Sequence, residues 1–136
     1  MTLEQKRAAA IKFALSVGTV PNGLDDDLVT EDFLYWAHGI GTIDKETFRR
    51  LIVTMKPLFA SPVQFHIAGT TAEGDRIAIE ADGDGTLTNG TPYRNKYHFL
   101  AVFRGDKIQS FKEYYDSKYS AEIFGPALAA LPRGPQ

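Results

Sequence analysis

Two periodicities divide the chain. From residue 3 to 17, Leu3, Arg7, Ala10, Ile11, Ala14 and Leu15 recur at helical spacing, and Gly18 supplies a stop. Val20-Pro21-Asn22-Gly23 reads as a turn, and Asp25, Asp26 and Asp27 as a solvated face or short helix start. Residues 31–39, EDFLYWAHG, are aromatic and suit a short strand. Asp44 suits the N-cap of a second helix, whose apolar residues Phe48, Leu51, Ile52, Met55 and Phe59 share one face, with Pro57 near its end. From Pro62 the period becomes two. VQFHIAGTT, RIAIEADGDGTL, YRNKYHFLAVF and KIQSFKEYY read as four strands. Their breaks are Glu73-Gly74-Asp75, Asn89-Gly90 and Gly105-Asp106, and Asn-Gly between strands marks a hairpin. Ser117 onward holds a short helix, and residues 126–136 read as a flexible tail.

Helices followed by an antiparallel meander predict an α+β fold. A twisted sheet wrapped around the N-terminal helices makes a cone with a cavity at its wide end.

Composition narrows the function classes. The 136 residues are the size of one domain, with 43% hydrophobic and 24% charged side chains, which excludes disordered and low-complexity classes. Net charge is −2, so the cationic footprint of a nucleic-acid binder is missing. With no cysteine, thiolate chemistry and disulfides are excluded. No apolar run approaches a membrane span, and the N-terminus lacks the apolar stretch of a signal peptide. A cytoplasmic protein is expected. Asp82-Gly83-Asp84-Gly85 lacks the Gly and Glu that a calcium loop needs further on. His38, His66 and His98 have no metal-ligand spacing, and no phosphate-cradling motif appears.

The order of elements, with GDRIAIEADGDGTLTNGTPYRNKY at 74–97 and DKIQSFKEYYD at 106–116, resembles the nuclear transport factor 2-like superfamily. Within it, the chain looks most like the SnoaL-like polyketide cyclase, ketosteroid isomerase and limonene-1,2-epoxide hydrolase group. The resemblance implies one domain over 1–136 with its core at about 3–125, a deep apolar pocket, and a homodimer joined through the outer sheet face. It places Glu113 in the pocket, where the epoxide hydrolase has a catalytic carboxylate. Asp82 roughly fits that enzyme's second acid, while Glu80 stands in place of its arginine. Trp36, Phe99 and Phe13 fall about where the ketosteroid isomerase has its catalytic aspartate, oxyanion-binding aspartate and tyrosine, so ordinary steroid isomerisation is not expected.

Strand alternation then divides the faces. With two or four loop residues at Asn89-Gly90, Glu80 and Asp82 share the inner face with Asn95, Tyr97, Phe99 and Ala101. The resemblance, by putting Glu113 in the pocket, implies that Gln109, Phe111, Glu113 and Tyr115 join them. A bulge at Gly83 or Gly85 would turn the two acids outward. The outer face then carries Ile77, Ile79, Leu100 and Val102, an apolar patch suited to dimerisation. Phe65 point inward with Ile67, and His66 outward.

The expected catalytic residues are Glu113, Asp82 and His38. A carboxyl in an apolar pocket resists ionisation, so Glu113 titrates near neutrality as a general acid or base. His38 is a candidate proton carrier. Trp36, Glu80, Tyr97, Phe99, Phe111 and Tyr115 are the expected substrate-binding residues, with the tyrosines donating hydrogen bonds. No metal and no cofactor is expected. The function expected is isomerisation, cyclisation, dehydration or epoxide opening of a small hydrophobic, ring-containing molecule. The alternative is a hydrophobic-ligand-binding or assembly module without turnover.

Overall fold

The computed structural model describes residues 1–20 and 23–130, so Pro21 and Asn22 of the expected turn, and residues 131–136, lie outside the described residues. Helix α1 runs Leu3–Ser16 and starts with a reciprocal cap: Thr2 Oγ1 accepts from Gln5 N at 3.1 Å, and Gln5 Oε1 accepts from Thr2 N at 2.8 Å. Its buried face is Ala10, Phe13 and Ala14, whereas Leu3 and Leu15 are exposed. Two apolar stripes compete on this helix, and the sheet takes the one carrying the large aromatic ring.

Strand β1 (Val29–Ala37) turns at Gly39, φ +77°, into a short strand β2 (Gly41–Asp44) that the sequence pattern did not reveal. Asp44 caps α2 (Lys45–Met55) as expected, accepting from Thr47 N at 2.9 Å. A 3₁₀ turn, Lys56–Leu58, ends this helix before Phe59, because Pro57 has no N–H to continue the ladder. The meander follows: β3 (Gln64–Glu73), β4 (Arg76–Thr86), β5 (Pro92–Arg104) and β6 (Lys107–Tyr115). Helix α3 spans Ser117–Ala130, so residues 126–130 of the expected tail are helical.

The six strands form one open, curved sheet in the order β2-β1-β6-β5-β4-β3. The meander is antiparallel, but β1 adds to β6 in parallel, making the sheet mixed. The chain between β1 and β6 is long enough for such a crossover. The main core joins α1 and α2 to the inner sheet face, with Phe13, Phe33, Phe48, Phe99 and Phe111 packed ring against ring. A second cluster of Leu58, Leu87, Tyr93 and Ala127 sits where α3 packs on β5 and the 3₁₀ turn. Tyr97 is packed against both clusters.

The β4–β5 register overturns the expected division of faces. Glu80 pairs with His98 and Asp82 with Lys96, even with even. Leu87 N donates to Thr91 O at 2.9 Å, and Gly90 N to Leu87 O at 2.9 Å, enclosing a loop of Thr88, Asn89 and Gly90 with Gly90 at φ +88°. An odd loop of this kind reverses the parity that a two- or four-residue loop gives. Pairing from Arg76 to Thr86 is continuous, so the turn, and no bulge at Gly83 or Gly85, sends the acids outward. Ile77 and Ile79, expected outside, are fully buried.

The β5–β6 turn has the two-residue loop Gly105-Asp106, but Gln109 is then left without a β5 partner. Ile108 therefore takes a buried inner position, and Gln109, expected inward, is the bulge residue. Beyond it Phe99 pairs with Glu113 and Tyr97 with Tyr115.

Candidate functional site

Glu113 stands on the inner face between Phe99 of β5 and Ala37 of β1. Tyr35, one rung along β1, donates its hydroxyl to Glu113 Oε2 at 2.7 Å. Among the described residues, Oε1 has no hydrogen-bond partner. Burial among aromatic rings raises the Glu113 carboxyl to about 7, against the opposing pull of the Tyr35 bond. The residue keeps part of its surface accessible, as do Phe65, Tyr97 and Tyr115 on the same face.

Three tyrosines surround this carboxyl. Burial, and then the Glu113 charge, pushes Tyr115 up to about 12 and raises Tyr35 and Tyr97 further. All three thus hold their protons as donors at neutral pH. The Tyr97 and Tyr115 rings lie 5.6 Å apart, and Tyr97 stacks on Phe99 at 5.5 Å. Tyr97 also bonds the hydroxyl of Tyr93, and Tyr115 donates to His38 O at 3.3 Å. Gly83 makes room for this arrangement: a Cβ there would come within 2.7 Å of the Tyr97 ring and 3.1 Å of Phe65.

Of the expected site residues, Glu113, Tyr97, Phe99, Phe111 and Tyr115 share the inner face. Phe111 is buried core, its ring tilted against Phe13 at 4.6 Å, so it backs the site from behind. Asp82 and Glu80 lie outside. Asp82 accepts from Lys96 Nζ at 2.9 Å, and both side chains are exposed. Trp36 and His38 are on the outer face too, clustered with Tyr114 at ring distances of 4.9 Å and 5.8 Å. They share a side with Leu34, as expected, but it is the opposite side from the core. The sequence reading missed Tyr35. Phe33, Tyr35 and Ala37 alternate with Leu34, Trp36 and His38, so both faces of β1 look apolar, and only packing on α2 selects one. Glu113 is the only carboxylate on the inner sheet face among the described residues.

No described helix is long and apolar enough to cross a membrane. The sequence matches the SnoaL-like domain family over residues 21–111. No curated protein matches it. Among solved structures, it is similar to a protein of ketosteroid isomerase-like fold from Catenulispora acidiphila in complex with trimethylamine. That pair gives a TM-score of 0.70 and 24% identity over 90% of this chain and 96% of the other. PrhC from Penicillium brasilianum gives a TM-score of 0.79 and 20% identity over 96% and 91%. An LEH-like epoxide hydrolase from M. tuberculosis gives 0.69 and 14% over 94% and 95%. At such identities the likeness is one of fold.

Proposed function

Because this chain belongs to the SnoaL-like domain family, we propose that it is a cofactor-independent enzyme performing acid/base chemistry on an apolar, ring-containing small molecule. Glu113 is the general acid or base. The observation that carries this reading is the Glu113 carboxyl set among aromatic rings and held by Tyr35 through one oxygen, the other having no hydrogen-bond partner among the described residues; burial raises this carboxyl to about 7. A group that titrates near the working pH can both take and return a proton. The remaining inner groups supply apolar walls and hydroxyl donors, which suits a substrate with one oxygen function on a hydrocarbon body. The reaction class is isomerisation, cyclisation, dehydration or epoxide opening. Asp82 and His38 have no part in it, because both stand on the far side of the sheet.

Product formation by wild type and Glu113→Gln, followed by mass spectrometry across cyclic ketones, phenolic polyketides and epoxides, tests the proposal. Turnover is expected to fall at least about a hundredfold in the variant. Equal turnover would overturn the assignment.

One observation favours a second reading, a ligand-binding module without turnover. Glu113 is alone, with no second carboxylate on the inner sheet face among the described residues. Retention of unchanged ligand in native mass spectra, with no product from any compound, would select it.

Self-association through the outer face is part of the same proposal. Leu100 and Val102 stay on that face as expected, and Leu34, Trp36 and Tyr114 take the place of Ile77 and Ile79 in its apolar strip. A cytoplasmic location, checked by cell fractionation, completes it.

A further inference from the structure

The polar groups where α3 meets β5 form a closed hydrogen-bond account with one donor left over. Asn95 and Ser120 are both buried. Asn95 Oδ1 accepts from Lys96 N at 2.8 Å and Asp116 N at 3.3 Å, which fixes which end of the amide is which. Its Nδ2 then donates to Asp116 O at 3.1 Å, and also toward Ser120 Oγ at 3.0 Å and Tyr93 Oη at 3.1 Å. Tyr93 Oη lies 3.0 Å from Ser120 Oγ and bonds Tyr97 Oη on its other side.

Three proton arrangements are possible along Ser120, Tyr93 and Tyr97. If Tyr93 accepts from both neighbours, its own buried proton has no acceptor among the described residues. If Tyr97 donates to Tyr93 and Tyr93 to Ser120, the buried Ser120 proton has no acceptor among the described residues. A buried donor without a partner costs about 1–3 kcal/mol. If Ser120 donates to Tyr93 and Tyr93 to Tyr97, every buried proton is used. Of the three hydroxyl protons, that of Tyr97 is then the one without an acceptor among the described residues. Tyr97 is half-buried on the inner face, diagonal to Glu113 across the β5–β6 pair.

We infer that Ser120 and Asn95 are positioning residues that aim the Tyr97 hydroxyl proton into the site, which selects ligands bearing a carbonyl or phenolate oxygen beside Glu113. The inference rests on the inner face being a ligand site. It makes α3 part of that site without placing any α3 residue against the ligand. Ser120 acts through Tyr93, and Asn95 holds the Ser120 oxygen as an acceptor so that its proton points onward.

Binding of 3,4-dinitrophenolate at pH 6, read from its absorbance shift, tests this without any known substrate. Glu113 is mainly protonated there and does not repel the anion. Wild type is expected to bind. Tyr97→Phe and Ser120→Ala should each weaken binding about tenfold, and Ser120→Thr, which keeps the hydroxyl, should restore it. Ser120→Ala should cause no further loss in a Tyr97→Phe background, an outcome that a merely structural role of Ser120 does not produce. Should Ser120→Ala fail to fold, Tyr93→Phe interrupts the same chain and should show the same dependence on Tyr97. Equal losses in both backgrounds, or no phenolate binding by wild type, would overturn the inference. The Glu113→Gln turnover result is independent of either outcome.

Discussion

The Tyr35 hydroxyl donates a 2.7 Å hydrogen bond to Oε2 of Glu113, tying β1 to β6 at the one acid of the inner sheet face among the described residues. The bond favours the ionised carboxylate, while burial opposes it more strongly. Tyr35→Phe should therefore raise the Glu113 carboxyl above its value of about 7, by roughly one unit if the bond is an ordinary charge-assisted one. Carbon-detected NMR titration of the carboxyl measures this directly. A downward movement would show that Tyr35 does not hold the ionised form.

Stability should fall as pH rises from 4.5 to about 7. The folded carboxyl of Glu113 lies at about 7 against an ordinary 4.5, so the protonated form is the one that folding favours. Its contribution is fully present below 4.5 and is lost progressively up to about 7. The loss is at most about 3 kcal/mol. Glu113→Gln lacks this titration, and above pH 7 it should be more stable than wild type. Urea melts of both proteins between pH 4 and 9 check the crossing. The lowered carboxyls of Asp26, Asp32 and Asp44 act with the opposite sign at the acid end, and they are common to both proteins.

Outer-face substitutions separate the two sides of the sheet. Asp82→Asn and His38→Gln should leave the Glu113 titration unchanged and alter stability by under about 0.5 kcal/mol, since the Asp82–Lys96 pair is exposed. A shift in the Glu113 titration in either variant would contradict the register.

Gly83→Ala tests the packing behind Tyr97. Its new methyl would press on the Tyr97 ring from 2.7 Å and on Phe65 from 3.1 Å. A destabilisation of about 1–3 kcal/mol is expected, with weaker dinitrophenolate binding as Tyr97 is displaced. Thermal melts and the absorbance titration together distinguish this from simple loss of fold.

Trp36→Glu addresses self-association. Trp36 sits in the exposed cluster with Tyr114 and His38. Sedimentation velocity should show wild type as a dimer and the variant as a monomer. A monomeric wild type at high micromolar concentration would remove the proposed interface.

Local spacing determined most of the elements, though not β2 or the last turn of α3. Thr2 and Asp44 begin helices because their side-chain oxygens can satisfy free backbone N–H groups of the first turn. Period-two alternation marked the four meander strands, and the residues quoted for the resemblance marked the family and Glu113. What alternation cannot state is which of two faces is inside. That followed from one odd loop, Thr88-Asn89-Gly90, which carried Ile77 and Ile79 into the core and Glu80 and Asp82 into water. On β1 both alternating sets are apolar, so packing against α2 chose Tyr35 over Trp36. Side-chain period is a local property of the strand; the sign of the face belongs to the turn and to the layer that covers it, and only the tertiary structure contains both.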